Sequence, residues 1–254
     1  MKSMKIKGRK IYFIVLLIIN MLLNFNISAY SASKDYKDEM PIYSVESDKN
    51  LIAITFDVNW AEKDYLDDIL KVLDDYDVKA TFFVMGKWVI YPDGNKEKLV
   101  KICNANHQIG NHSYVHPNFL RINRKQIENE IVKTEKIIYD ITGKKTTVFR
   151  FPSGAYNKEA VKCVNAMNYK SIQWSKDSVD WKNIGLEKEY NNVMKDIDAG
   201  DILLFHNNGE NTVENLKRII PDLQRKGYKL VKLEELMHDG AYIVNENGKQ
   251  LKIN

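Results

Sequence analysis

The sequence predicts an α/β domain of parallel strands joined by helical crossovers, and three observations carry that expectation. Strand-like and helix-like segments alternate about seven times between Leu51 and Met237, a pattern that sets parallel strands side by side with helices as their connections. The strand segments are continuous apolar runs, such as LIAITF at 51–56 and DILLFH at 201–206, as befits strands covered on both faces. No glycine-rich phosphate loop follows the first of them, which argues against a nucleotide site. Roughly 200 residues around one core fit a (β/α) barrel or a doubly wound sheet.

Each element has its own signal. After the strand at 51–56, residues 65–73 place apolar side chains at helical spacing, and KATFFV at 79–84 reads as the next strand. A helix over 96–106 leads to a short strand at 107–111. Residues 123–142 form a long amphipathic helix with Ile127, Ile131, Thr134, Ile138 and Ile141 on one face and Gly143 as its stop. A strand at 147–150, a helix at 158–167 and a strand at 169–174 follow. Then come a helix at 186–197, the strand at 201–206, a helix at 213–225 stopped by Gly227, a last strand at 228–232 and a short helix through Met237. Residues 32–49 read as a linker, the domain as 50–238, and 239–254 as a peripheral tail.

The N-terminus differs from the rest. Lys2, Lys5, Lys7, Arg9 and Lys10 precede an apolar run from Ile11 to Leu23, and small residues follow to Ser33. This order of basic, apolar and small segments is that of a secretory signal, with Ala29 and Ser31 suited to cleavage after Ser31. An uncleaved membrane anchor is the alternative, because the stretch from Ile11 to Tyr30 approaches the ~20 residues that cross a bilayer. Either way residues 1–31 mark an extracytoplasmic protein, secreted or membrane-anchored, with the basic end inside. Without residues 1–31, the net charge of +4 falls to about −1, since 33 basic residues face 34 acidic ones. A domain of that charge, with no basic tract, is not a nucleic-acid binder. Cys103 and Cys163 lie in apolar helical surroundings and read as buried free thiols, with a disulfide as the alternative and no cysteine-based zinc site.

Ionisable residues stand at the carboxyl ends of the predicted strands. Asp57 follows LIAITF, His112 follows HQIGN, Arg150 ends TVFR, Asp177 follows SIQWSK and His206 ends DILLFH. In a barrel those ends share one rim, where active sites collect. Polar residues often begin loops, but an Arg, two Asp and two His in register are harder to assign to loop chemistry alone. His112 and His116 could hold a metal if both imidazoles point the same way, which spacing alone does not decide.

Five short blocks in order give a family resemblance from about residue 50 to 237. They are Thr55-Phe56-Asp57, His112-Ser-Tyr-Val-His116, Arg150-Phe-Pro-Ser-Gly154, Asp177-Ser-Val-Asp-Trp181 and Leu204-Phe-His206. With them the chain resembles the NodB-homology polysaccharide deacetylases, carbohydrate esterase family 4, and within these the sporulation-type peptidoglycan deacetylases. The resemblance implies a distorted (β/α) barrel that removes N-acetyl groups from an amino-sugar glycan such as peptidoglycan or spore cortex. It implies a divalent metal, zinc above all, on His112 and His116. It implies Asp57 as general base, Arg150 as the group that orients it, and His206 as the acid that protonates the leaving amine. Asp177 would set the state of His206, with Asp180 as the alternative partner. Trp181 and Leu204 would wall a pocket for the acetyl methyl, and a backbone N–H near Ser153 would face the oxyanion.

One position departs from the family pattern. A second Asp usually follows the first, as a metal ligand, and here it is Val58. Asn59 is the next candidate, through its side-chain oxygen. A set of two imidazoles and no carboxylate should bind a cation more weakly. Besides the deacetylase, the sequence therefore admits a glycan-binding pseudoenzyme, and an O-acetyl esterase using the same machinery. Trp60 could stack on a sugar ring or pack a loop, and Trp174 and Trp181 could be core aromatics. Tyr114 and Tyr156 could be substrate contacts or surface residues. His107 and His238 read as structural.

Overall fold

The computed structural model describes residues 35–253, so the expected leader at 1–31 lies outside the described residues. From Tyr36 onward the chain forms a compact unit. Its main sheet has eight parallel strands. β1 (Ser44–Val45) stands apart from this sheet, and β2 (Leu51–Val58) is its centre, flanked by β3 (Thr81–Val84) and by the later strand at Ile202–His206. Beyond β3 come β4 (Gln108–Asn111), β5 (Val148–Phe149) and β6 (Lys170–Ser171). On the other side β7 (Lys176–Asp177) pairs with β8 (Ile202–His206), and β9 (Lys229–Val231) pairs with the start of β2. No ladder joins β6 to β7 among the described residues, so the curl is an open, distorted barrel.

The period of two along β2 explains both layers of the core. Ile52, Ile54, Phe56 and Val58 point outward into the cluster shared with the helices, whereas Ala53 belongs to a separate cluster with Phe83, Val148 and Ile202. Thr55 and Asp57 share the face of Ala53. The outer helices are α1 (Leu66–Asp75), α2 (Gly86–Ile90), α3 (Asn95–Asn104), α4 (Arg124–Thr142), α5 (Lys158–Ala166), α6 (Leu186–Met194), α7 (Thr212–Arg225) and α8 (Leu233–Leu236). The long helix α4 begins with a capping box, in which the Asn123 side chain accepts from the Gln126 N–H and Gln126 accepts from the Asn123 N–H. It ends at Gly143 in the left-handed region. Its buried stripe is Ile127, Ile131, Thr134 and Ile138, as the periodicity requires. Each buried isoleucine of that stripe contributes about 1.5–3 kcal/mol. Phe56 and Phe82 stack at 4.8 Å beneath the site.

The two end segments correct an expectation. Residues 32–49 and 239–254 were expected to be a linker and a peripheral tail, yet β1 pairs in parallel with β11 (Lys249–Lys252), which pairs antiparallel with β10 (Tyr242–Val244). Val45, Val244 and Gln250 are buried in this small sheet. The Val45 N–H donates to the Gly200 carbonyl, and a side chain at Gly200 would collide with the Val45 carbonyl, so the two backbones meet closely only at a glycine.

Candidate active site

The strand register brings the base and acid candidates together. On neighbouring parallel strands, Asp57 of β2 lies opposite His206 of β8 and opposite Phe83 of β3, so Asp57 and His206 start about 4.8 Å apart at the backbone. They line one cavity of about 430 Å³ with Asn59, Trp60, His116, Ser153, Trp174, Asp177, Trp181 and Leu204. His112 and Arg150 lie just beneath, fully buried.

Arg150 is the anchor of this floor. Its Nη1 donates to Asp57 Oδ1 at 2.9 Å and to Thr55 Oγ1 at 2.8 Å, and its Nη2 donates to the Gln173 carbonyl at 2.9 Å. The guanidinium lies 4.1 Å from the Phe83 ring centroid, a face-on contact typical of arginine. Burial alone would raise the Asp57 pKa, but the cations Arg150 and His206, joined in acid by a protonated His112, outweigh it and hold the carboxyl below its usual range. His112 is itself pushed down to about 4 by burial. Near neutral pH it is uncharged, and the permanent cation Arg150 holds Asp57 ionised. Thr55 was not anticipated. Its signal was its place two residues before Asp57, on the same face of β2.

His206 is held in the opposite state. Its Nδ1 donates to Asp180 Oδ1 at 2.7 Å, and its backbone N–H donates to Asp180 Oδ2 at 2.9 Å. Burial alone would lower the His206 pKa, but the hydrogen bond and charge of Asp180, with Asp57 and Asp177 behind it, raise it above the ordinary value. The Nε2 edge is then free to carry a proton into the cavity. Asp180 is fully buried, and its Oδ2 also accepts from Thr212 Oγ1 at 2.5 Å, at the start of α7. A Cβ on Gly209 would overlap Thr212 Oγ1 and come within 2.8 Å of the Asp180 Cβ, so this turn closes only around a glycine.

The expected pairing of Asp177 with His206 is therefore corrected to Asp180. Asp177 Oδ1 instead accepts from the Val179 N–H at 2.8 Å, a local turn that starts the loop. Val179 sits in the left-handed region, with φ 58°, unusual for a β-branched residue. That reversal swings Asp180 rather than Asp177 under the imidazole. Asp177 still lines the cavity, where burial raises its pKa.

The residues expected to hold a cation fit one. His112 Nδ1 meets the Arg150 carbonyl at 3.0 Å, which fixes the N–H on that nitrogen. His112 Nε2 is left buried without a hydrogen-bond partner, 3.5 Å from Asp57 Oδ2. The His116 ring stands edge-on to it at 5.0 Å between centroids, and burial lowers the His116 pKa, so it too is a neutral donor. Asn59 Oδ1 is buried and equally without a partner. A side-chain clamp sets this residue, because Asn207 Oδ1 accepts from the Asn59 N–H and Asn207 Nδ2 donates to the Asn59 carbonyl, each at 3.0 Å. Val58 follows the strand period outward into the helix layer. Among the described residues no three His, Cys, Asp or Glu side chains converge on a cation. Of the expected ligands, Asn59 is the only one besides the histidines, and it shares the cavity wall with His116.

The remaining expectations divide. Leu204 is buried in the cavity wall, and Ser153 lines it from a turn with φ 54°. Trp181 is no core aromatic, since half of it is exposed. His107 is structural, accepting from the Ala80 N–H. Tyr156 bonds Tyr43 through its hydroxyl, away from the cavity. Cys103 and Cys163 are both free.

A sequence profile of the polysaccharide deacetylase family matches residues 44–172. The chain belongs to this family. Among its relatives is a peptidoglycan-N-acetylglucosamine deacetylase of Bacillus cereus, 33% identical over 76% of this chain and 70% of its own. Another is the peptidoglycan-N-acetylmuramic acid deacetylase PdaA of Bacillus subtilis, 31% identical over 78% and 75%. Among solved structures, a family 4 pseudoenzyme from Bacillus anthracis superposes with a TM-score of 0.73 at 33% identity, covering 84% of this chain and 73% of that one. A mutant of the same pseudoenzyme, described as having restored enzymatic activity, is equally similar in fold. The parallel sheet and outer helices are the fold of family 4 hydrolases, which act on amide C–N bonds and generally depend on a metal.

Proposed function

We propose that this polysaccharide deacetylase hydrolyses the N-acetyl group of an amino sugar in a peptidoglycan-like glycan, releasing acetate and leaving a free amine. One observation supports it above the others. Two groups in register on adjacent strands are biased toward opposite proton states, Asp57 toward the ionised form by Arg150 and His206 toward the protonated form by Asp180. Such a split is what amide hydrolysis needs, because an amine leaves only after it is protonated. Asp57 takes a proton from the attacking water as its oxygen bonds to the acetyl carbon. His206 gives its Nε2 proton to the sugar nitrogen as the C–N bond breaks. Ser153 would offer its backbone N–H to the developing oxyanion, and Trp181 and Leu204 would enclose the methyl group.

His112, His116 and Asn59 would hold a divalent cation; the two imidazoles suit zinc, and the neutral Asn59 amide oxygen is a weaker third donor than a carboxylate. When bound, it supplies Lewis acidity to the acetamide carbonyl. Residues 1–31 support an extracytoplasmic location, where such a glycan is met, whether the segment is cleaved or retained as an anchor. Among the described residues no helix is long and apolar enough to cross a membrane. Fractionation that finds the protein in the cytoplasm overturns this part.

The deciding experiment measures acetate released from N-acetylated peptidoglycan fragments, with zinc, cobalt or manganese supplied. Acetate release by the wild type that disappears in Asp57→Asn, with the folded state retained by circular dichroism, supports the reading. Full turnover by Asp57→Asn removes it. Val58 and the likeness to a pseudoenzyme favour a second reading, a glycan binder without turnover. It predicts bound fragments and no acetate with any of the three metals.

A further inference from the structure

We propose that Trp60 is the platform of a second sugar subsite, which seats the ring next to the one being deacetylated. The proposal rests on the deacetylase reading for the identity of the first sugar. Its support is the distribution of exposed apolar surface. Among the described residues eight large hydrophobic side chains are exposed, and Trp60, Ile90, Tyr91, Val115, Leu120 and Trp181 all lie on segments that leave the carboxyl ends of strands. Only Val132 and Tyr139 lie elsewhere, on α4. Scattered exposed apolar residues need no explanation, but two exposed tryptophans, Trp60 and Trp181, on the wall of one cavity do.

Trp181 borders the catalytic cavity alone, whereas Trp60 also borders a second one. Trp60 is 42% exposed, yet its indole is fixed, with Nε1 donating to the Tyr91 carbonyl at 2.7 Å and the Lys87 ammonium 5.4 Å from the ring centroid. A ring held in place before binding loses little freedom when a ligand stacks on it. The same ring borders two cavities. One is the catalytic cavity, and the other, of about 290 Å³, is lined by Glu62, Asp64, Trp88, Asn95 and Lys98 among others. An aromatic face bordered by carboxylate, amide and ammonium groups matches a sugar, whose apolar C–H face lies against a ring while its hydroxyls both give and accept hydrogen bonds. The acids Glu62, Asp64 and Asp93 beside Trp60 disfavour the anionic lipid surface that an exposed tryptophan with lysines would otherwise suit. Continuity with the catalytic cavity makes the occupant the neighbouring residue of the same glycan.

The test is titration calorimetry of the full chain with N-acetylglucosamine oligomers of one to five units. Trp60→Ala, Trp60→Phe and vesicles of anionic phospholipid complete the set. Wild type should bind the longer oligomers more tightly than the monosaccharide. Trp60→Ala should lose about ten-fold on the longer oligomers, which erases the length dependence. Trp60→Phe, which keeps a ring but gives up the bond to Tyr91, should stay within about three-fold of wild type. An identical length series for Trp60→Ala and wild type overturns the proposal. So does a wild type that binds all lengths alike, or tryptophan-dependent binding to the vesicles only. Because binding needs no turnover, the two readings fail separately. Tryptophan-dependent binding without acetate release keeps the subsite and removes the deacetylase, whereas acetate release without length dependence does the reverse.

Discussion

Two buried carboxylates, Asp57 and Asp180, sit under the same cavity and are put to opposite uses by their partners. Asp57 is bonded to Arg150, a cation that cannot give up its proton. The pair leaves Asp57 ionised and able to accept. Asp180 is bonded to His206, whose charge is optional. That carboxylate spends its influence on the imidazole, which it holds protonated and able to donate. Residue type therefore does not decide which aspartate is a base; the cation beside it does.

Four substitutions would break or sharpen this contrast. The largest effect is expected from Arg150→Met, which strands a buried carboxylate and two further hydrogen-bond acceptors. Loss of one partner of a buried pair costs about 3–5 kcal/mol, so thermal unfolding should fall by on the order of 10 °C, and acetate release should vanish. A melting curve like that of wild type would show that Arg150 does not hold the floor together. Asp57→Asn should keep the fold and lower kcat by about 10²–10⁴-fold, the range for a lost general base.

Asp180→Asn acts on the acid side. His206 needs its proton to act, so acetate release is lost as pH rises through its raised pKa. Removing the carboxylate lowers that pKa, and the alkaline limb of the kcat/KM profile should move toward acid, with activity down by about 10²-fold. The same pairing adds stability that is complete below the unfolded histidine value of about 6.5 and fades as pH passes the folded one. An unmoved alkaline limb would exclude Asp180 as the partner. The smallest effect belongs to Thr212→Val, which removes one hydrogen bond to Asp180, worth about 1 kcal/mol. It should shift the same limb by a fraction of a unit, while Thr212→Ser restores it. A purely structural threonine would alter melting and leave the limb in place.

Most of the floor was legible in the sequence, because a strand end is a place the pattern of apolar runs can fix. Asp57, Arg150 and His206 each close or follow such a run, and His112 follows β4, so the fold brings them together as the alternation predicts. What the runs could not fix was the path of a loop. Asp177 and Asp180 are three residues apart, and only the left-handed turn at Val179 decides which one meets His206. The five-residue helix α2 is too short to show a period. The strands at the two ends of the described chain were hidden for a related reason. β1 is two residues long and β11 reads Lys-Gln-Leu-Lys, with no apolar run to mark it.

That end-to-end pairing bears on how the molecule is made. Ser44 lies against Lys249 and Val45 against Gln250, a contact between residues more than two hundred positions apart. During synthesis the earlier strand leaves the ribosome first and waits more than two hundred residues for its partner in this sheet. The small sheet is thus a seam that can be sewn only once residues 249–252 have emerged, by which point every catalytic strand has been synthesised.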